Sequence, residues 1–249
     1  MRWLAAALCA FALHACGGCR GEVPILTWHA VAQGSGSYDV APPAFARQLD
    51  AIRAAGFHTV SLHEVLAHQD SGAPLPKKPV VLTFDDGTAD GFTTVLPALR
   101  ARGMKATFFL VPAWLGSDEA HRHVEVEEGV ARPCLTVQEA RALHAAGMEL
   151  GAHGLAHLRL AGLSEESARE QIGGARSLLA QLLGIPIDLF AYPYNSVRRP
   201  HRALVREAGY RAAVAGVDHG SSDRFSLYRA PVARSTTPEE LVATLSAWH

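Results

Sequence analysis

Pro79-Val80-Val81-Leu82-Thr83-Phe84-Asp85-Asp86-Gly87 decides the reading of this 249-residue chain. An apolar, β-branched run ends on two adjacent carboxylates and a glycine, the pattern of a buried strand that delivers charge at its C-terminal end. α/β proteins keep their chemistry at that end of their strands. Two like charges side by side repel, so the pair makes best sense if a cation or a shared proton separates their roles. One carboxylate could then bind metal while its neighbour works as a base. Read alone, Asp-Asp-Gly is equally a turn after a buried strand.

A second strand-like run, Met148 to Ala152, ends at His153, and His157 follows four positions later. Imidazoles at i and i+4 share one face of a helical turn, so both can reach one ion. The spacing is that of the H-E-x-x-H metal motif, but Gly154 stands where that motif keeps its glutamate. A base must come from elsewhere, and Asp85 is available. In a chain with 13 histidines such a pair also arises by chance; its force comes from following a strand, downstream of a strand-end Asp-Asp-Gly.

Further strand-like runs lie at Val23 to Trp28, Thr59 to Leu62, Ala106 to Val111, Asp188 to Tyr192, Ala212 to Val217 and Leu227 to Val232. Helical patterns separate most of them. Pro43 to Ala55 puts Phe45, Leu49 and Ile52 on one face and stops at Gly56; Val137 to Ala146 and Ser164 to Leu183 stop at Gly147 and Gly184. Leu241 to His249 reads as a last helix. Alternating β and α units predict an α/β fold with a parallel barrel, and residues 23–249 fit one domain with a single core. Pro112 to Pro133 is the longest stretch without periodicity and reads as a loop at the barrel mouth. It holds Trp114 and a His121-x-His123 pair, which suits a solvated loop better than a second metal site. Lys77-Lys78, between two prolines, reads as a surface turn.

The chain resembles the polysaccharide deacetylase family, carbohydrate esterase family four, also called the NodB-homology domain. The resemblance is carried by T-F-D-D-G at Thr83 to Gly87, H-G-L-A-H at His153 to His157 and F-A-Y-P-Y at Phe190 to Tyr194. It extends to V-P-I-L-T-W-H at Val23 to His29, K-A-T-F-F-L at Lys105 to Leu110 and L-Y-R-A-P-V at Leu227 to Val232. It implies a distorted, incomplete (β/α) barrel of TIM-barrel type. It also implies a divalent metal on Asp86, His153 and His157, with Asp85 as general base. Zinc suits one carboxylate and two imidazoles best, and the same donors admit Co2+, Ni2+ or Fe2+. The implied reaction is hydrolysis of an acetamide on an N-acetylated sugar, with the backbone N–H of Tyr194 stabilising the oxyanion. Trp28, Trp114, Tyr192 and Pro193 are the expected substrate contacts, Trp114 as a sugar-stacking platform.

The chain also departs from the family pattern. The third motif usually begins with an arginine that orients the catalytic aspartate and ends with a glycine; here Ala191 and Asn195 stand in those places. Arg229 could replace the arginine from another strand, or be an ordinary surface arginine. The family's late histidine, the general acid, is not found near the C-terminus. Ile25 to His29 is the same kind of element at the chain's start, and a barrel is indifferent to where its chain begins, so His29 is the expected acid. The expected function is removal of N-acetyl groups from N-acetylglucosamine units of an envelope or exported polysaccharide. The alternatives are an O-acetyl esterase on xylan-like glycans, or a catalytically weak glycan-binding or assembly protein that keeps the fold.

Met1-Arg2-Trp3 followed by the apolar Leu4 to Leu13 reads as a signal peptide, residues 1–15, too short to span as a permanent helix. Leu13-His14-Ala15-Cys16-Gly17 resembles a bacterial lipobox, although His14 is unusual there. The expectation is lipidation at Cys16, a short tether over 16–22 and an exported, periplasmic or membrane-anchored protein, with plain secretion as the alternative. Of four cysteines only Cys19 and Cys134 then remain, so no disulfide framework is implied, and whether they pair is open. A net charge of −1 predicts neither a nucleic-acid footprint nor a polybasic membrane patch and suits a neutral glycan, here an acetylated polysaccharide or oligosaccharide, as partner.

Overall fold

The computed structural model describes residues 23–127, 129–216 and 223–248. The signal segment, Cys16, the tether and Cys19 lie outside the described residues. In chain order the elements are β1 (Ile25–Trp28), α1 (Pro42–Ala54), β2 (His58–Thr59), α2 (Leu62–Ser71), β3 (Pro79–Phe84), α3 (Leu96–Arg100) and β4 (Thr107–Leu110). Then come β5 (Val124–Glu127), β6 (Val130–Pro133), α4 (Val137–Ala145), β7 (Glu149–Ala152), α5 (Glu165–Arg169) and α6 (Ala175–Leu183). The chain ends with β8 (Leu189–Ala191), α7 (Arg199–Glu207), β9 (Ala212–Ala215), β10 (Leu227–Tyr228), β11 (Ala230–Pro231) and α8 (Pro238–Ala247).

One sheet carries the fold, in the order β10-β9-β8-β7-β4-β3-β1-β11 with β2 beside β3, and every pairing in it is parallel. Its two outer members, β10 and β11, are consecutive in the chain and separated by Arg229 alone. The sheet therefore curls until its ends meet, and chain continuity rather than a ladder closes the ring. This is the α/β barrel that the alternating elements predict.

Side-chain parity then fixes what faces where, because successive residues of a strand point to opposite faces. Leu26, Trp28, Val80, Leu82, Phe84, Phe108, Leu110, Leu150 and Phe190 join the larger core cluster, together with α1, α4 and α6 residues. The other parity supplies Ile25, Val81, Phe109, Leu189, Ala212, Val214 and Leu227 to a second cluster inside the barrel. Phe109 fills that interior, and a Cβ on Gly151 would come within 2.6 Å of its ring. Burying each such side chain contributes roughly 1.5–3 kcal/mol.

The sequence expectations for Val23 to Trp28, Val80 to Phe84, Ala106 to Val111, Met148 to Ala152 and the three main helices hold within a residue or two. Two need correction. Thr59 to Leu62 is not a strand throughout: Ser61 caps α2, accepting from the Glu64 N–H at 3.1 Å while Glu64 accepts from the Ser61 N–H at 2.7 Å. Pro112 to Pro133 is not a featureless loop, since β5 and β6 form an antiparallel hairpin within it. Glu165 to Leu183 runs as one helix with a π-helical turn at Glu170–Gly174, where the Gly173-Gly174 pair loosens the ladder.

The N-terminal end of the barrel is sealed by α2. Leu62, Val65 and Leu66 enter the inner cluster, and the Glu149 carboxylate accepts the Leu62 and His63 backbone N–H groups at 3.0 Å each. His63 bonds the same carboxylate and, through Nε2, Asp188 at 2.8 Å. These hydrogen bonds, to Asp188 and then Glu149, hold the imidazole up at about 10, so it is a cation at neutral pH.

Candidate active site

The inward parity continues past the strand ends. Along β1 the inward positions are Ile25, Thr27 and His29; along β3, Val81, Thr83 and Asp85; along β7, Glu149, Gly151 and His153; and Leu227 and Arg229 follow on the last strand. His29, Asp85, His153 and Arg229 consequently converge at the C-terminal rim, where they line a cleft of about 220 Å³.

Asp86 has the wrong parity for that cleft and reaches it by a backbone turn. Its φ is +71°, in the left-handed region, and Gly87 follows at +77°. A Cβ on Gly87 would lie 3.1 Å from Leu110, so the second position of this turn has no room for a side chain. His157, Tyr194 and Asn195 also have positive φ, of +56°, +54° and +52°. Four of the five non-glycine residues in that region among the described residues thus sit at one site, where strain commonly serves function. His153 and His157 are joined by an irregular turn with Gly154 at φ +73°, not by the helical turn that their spacing suggests.

Asp86, His153 and His157 are buried, and one donor atom from each lies within 4.8 Å of the others. Asp86 Oδ1 is 3.3 Å from His157 Nε2 and 3.5 Å from His153 Nε2. Tetrahedral ligands of a zinc ion lie roughly 3.4 Å apart, so the three atoms are already spaced to hold one. His153 Nδ1 donates to the Ala191 carbonyl at 2.9 Å, which fixes the tautomer and leaves Nε2 for a metal. Burial lowers both imidazoles, His157 to about 3, so they are neutral, as ligation requires. The donor set fits a divalent ion.

Asp85 stands beside this group, 3.7 Å from His153 Nε2. Arg229 grips it with both terminal nitrogens, Nη1 donating to Oδ1 at 2.7 Å and Nη2 to Oδ2. Nη1 also donates to Thr83 Oγ1 at 3.2 Å, and the guanidinium lies over the Phe109 ring. Arg229 is only 1% exposed, so the reading of an ordinary surface arginine falls away. Burial, the largest single influence, would raise the Asp85 carboxyl; the charge and hydrogen bonds of Arg229, together with the neighbouring His153 and His29, outweigh it and hold the group down to about 2. His29 is half-buried on the neighbouring strand, its ring 4.7 Å from the Tyr38 ring, and burial lowers it to about 4.

The expected substrate contacts are redistributed. Trp28 is fully buried, stacks on Phe84 and donates from Nε1 to Gln48 at 3.0 Å; it is a core residue, because its parity faces α1. Tyr192 is also fully buried and donates its hydroxyl to the Phe225 carbonyl at 2.8 Å. Pro193 packs beneath Gly154, where an added Cβ would meet it at 3.0 Å. Trp114 is tilted against His157, ring centres 4.9 Å apart, and stacks on His123 at 6.0 Å, so its ring is shared between two imidazoles and is not an open platform. Tyr194 alone of the expected aromatics is well exposed, at 45%. Asn195 takes the left-handed backbone conformation where the resemblance expects glycine, and its Oδ1 accepts from the Gly216 N–H at 2.6 Å. His121 and His123 pair with Asp118 and Glu125 on the hairpin side and belong to no metal-ligating group among the described residues. Cys134 is buried with a free thiol, pushed up by burial to about 12.

Sequence reasoning left out Tyr38, Arg132 and Arg159, which also border the cleft. Tyr38 and Arg159 lie on irregular segments and Arg132 on β6 of the hairpin, none of which a core-facing periodicity reports. The position of Arg229, in contrast, is written in the parity of Leu227 to Pro231.

A parallel barrel with a clamped carboxylate at its C-terminal rim, beside a buried carboxylate–diimidazole group that could hold a metal, has the layout of an α/β hydrolase. Residues 72–213 match the family model described as polysaccharide deacetylase. The chain belongs to the polysaccharide deacetylase family, hydrolases that act on the amide bonds of acetylated polysaccharides. It is 23% identical over 215 residues to the Bacillus subtilis polysaccharide deacetylase YxkH, covering 85% of this chain and 71% of that one. A 93-residue stretch is 33% identical to the poly-beta-1,6-N-acetyl-D-glucosamine N-deacetylase of Escherichia coli, 36% of this chain and 14% of that enzyme. The fold superposes on the Streptococcus pyogenes deacetylase PplD, solved with acetate, with a TM-score of 0.75 at 23% identity over 90% of this chain and 97% of that one.

Proposed function

We propose that this protein is a metal-dependent de-N-acetylase that removes acetyl groups from N-acetylglucosamine units of an envelope or exported polysaccharide. The observation that carries the reading is Asp85, an ionised carboxylate locked by Arg229 beside the Asp86–His153–His157 group. A site kept only for glycan binding has no use for such a base. The short match to the E. coli N-deacetylase supports N-acetylglucosamine as the sugar.

A divalent ion held by Asp86, His153 and His157, zinc by the chemistry of the donors, supplies Lewis acidity toward water and the acetamide carbonyl. Asp85 takes the proton of the attacking water, and Arg229 fixes the orientation of its carboxylate. The backbone N–H of Tyr194, turned by its positive φ, serves the oxyanion that develops on the carbonyl oxygen. His29, neutral in the resting protein by its lowered pKa, would pass to the departing amine the proton that Asp85 took from the water, as the carbon–nitrogen bond breaks. Free sugar amine and acetate are the products.

The test is acetate release from N-acetylglucosamine oligomers by zinc-loaded, chelated and Asp85→Asn protein. Release that needs both metal and Asp85 supports the reading; equal release from the Asp85→Asn form would sink it. The same proposal places the protein outside the cytoplasm, with residues 1–15 removed, 16–22 as tether and a lipid on Cys16. Incorporation of a fatty-acid analogue that persists in Cys16→Ser would refute the anchor.

A further inference from the structure

Three guanidinium groups border the cleft, and the chain neutralises two of them. Arg229 is held by Asp85, and Arg132 by the buried Asp39, with Nη2 donating at 2.6 Å. Arg159 makes no ion pair among the described residues. Its guanidinium instead lies over the Tyr194 ring, with Cζ 4.6 Å from the centroid. Stacking of this kind uses the face of the guanidinium and leaves its N–H donors in the plane for another partner.

The placement is built into the backbone. Leu160 is fully buried, and the Ala161 N–H donates to Ser196 Oγ at 2.8 Å, which ties residues 159–161 to the turn that carries Tyr194. The backbone of Arg159 is therefore held at the rim, and its exposed side chain rests on the Tyr194 ring. The Tyr194 ring stands between it and His157, whose ring is 4.5 Å from that of Tyr194. The guanidinium thus reaches the sugar beside the reacting one and not the acetamide itself. Asp39, Asp85 and Asp86 balance the three arginines in charge, so a divalent ion leaves the cleft with surplus positive charge. A planar fork of donors in that field matches a carboxylate.

We propose that Arg159 forms an anion subsite at the cleft rim that binds a carboxylate on the sugar adjoining the one deacetylated, which makes the preferred substrate an acidic glycan. The inference rests on the deacetylase reading above. The carboxylate can belong to a uronic acid or to a lactyl ether, and Arg159 reads the group common to both.

The test uses the full-length, zinc-loaded protein and two acidic oligomers, N-acetylglucosamine alternating with glucuronate and with N-acetylmuramate. Each is paired with its carboxyl-reduced, neutral counterpart. Affinity is read by calorimetry and KM by acetate release. The expected result is a preference of roughly 10- to 100-fold, seen in affinity and KM, for at least one acidic oligomer over its neutral counterpart. Arg159→Gln brings that ratio close to one, and Arg159→Lys retains part of it. The oligomer that shows the preference identifies the source of the carboxylate. A wild-type ratio near one for both pairs, or a ratio that survives in Arg159→Gln, overturns the subsite. If wild-type protein releases no acetate from any oligomer yet shows an Arg159-dependent affinity ratio, the deacetylase reading falls and the subsite stands.

Discussion

Arg229 and Asp85 form a buried pair that no short motif contains, since the two residues lie 144 positions apart. Replacing the fork with an ammonium loses the bidentate grip, so Arg229→Lys should lower kcat by at least ~10-fold with metal content unchanged. Arg229→Met leaves Asp85 buried without its cation and should cost about 3–5 kcal/mol of stability, read by denaturant melts. The sign of the accompanying pH effect follows from the cause of the low Asp85 pKa. Weakening the cation raises that pKa, so the acid limb of kcat/KM against pH should move upward in Arg229→Lys; a limb that stays put would separate Arg229 from Asp85. His29 makes a second case. His29→Ala should reduce kcat by roughly 10²–10⁴ while the protein keeps its metal, and unchanged turnover would remove it from the reaction. Asp85, Asp86, His153 and His157 were legible in the sequence because strand-end motifs place them. Trp28 was not, because a tryptophan next to a site histidine looks like a contact until parity sends it to the opposite face of the sheet. Arg159 left no signal, since its position depends on the Ala161–Ser196 hydrogen bond between two turns.

The strands that bear the site and the helix that plugs the barrel obey different chemistry at their two ends. At the N-terminal end Glu149 receives the first N–H groups of α2 and the charged His63, so a helix, β7 and β8 are pinned through one carboxylate and one imidazolium. The His63 pKa is raised in the fold, to about 10 against about 6.5 when unfolded. Its contribution is therefore fully present below about pH 6.5 and is lost as pH climbs through about 10. Wild-type protein should exceed His63→Gln in stability by about 1–2 kcal/mol at neutral pH, a figure discounted because the imidazole is 38% exposed. The two should converge in melts above about pH 10, and a gap independent of pH would show that packing, not charge, does the pinning. Helix boundaries were readable because glycines and capping residues mark them. The β5–β6 hairpin was missed because Val124 and Val126 point outward, at 51% and 61% exposure, so its alternation is inverted relative to a core strand. A pattern search that expects apolar residues to face inward cannot see such a strand.

A metal on Asp86, His153 and His157 would tie together parts of the chain that are otherwise joined only by the barrel wall, because Asp86 follows β3 while the two histidines follow β7. Ligand that binds only the folded state adds stability by mass action, about 2.7 kcal/mol at a hundredfold excess over Kd. Zinc should accordingly raise Tm, a chelator should reverse the rise, and Asp86→Ala should abolish it; a Tm indifferent to zinc would count against the ion site. The general architecture could be read from alternating elements, but its closure could not, because periodicity does not report which strands become neighbours. The first and last strands do: β1 pairs with β11, and Gln48 of α1 donates to the Thr236 carbonyl across 188 positions at 2.8 Å. The residue at the seam is Arg229. During synthesis the chain leaves the ribosome from its N-terminus, and neither the seam nor the clamp on Asp85 can form before residues 227–232 have emerged. The seven or so strands made earlier have an open edge and an unpartnered base until that moment. A chain that stops short of these residues has Asp85 without its clamp, and the rim is assembled only once the last strand is in place.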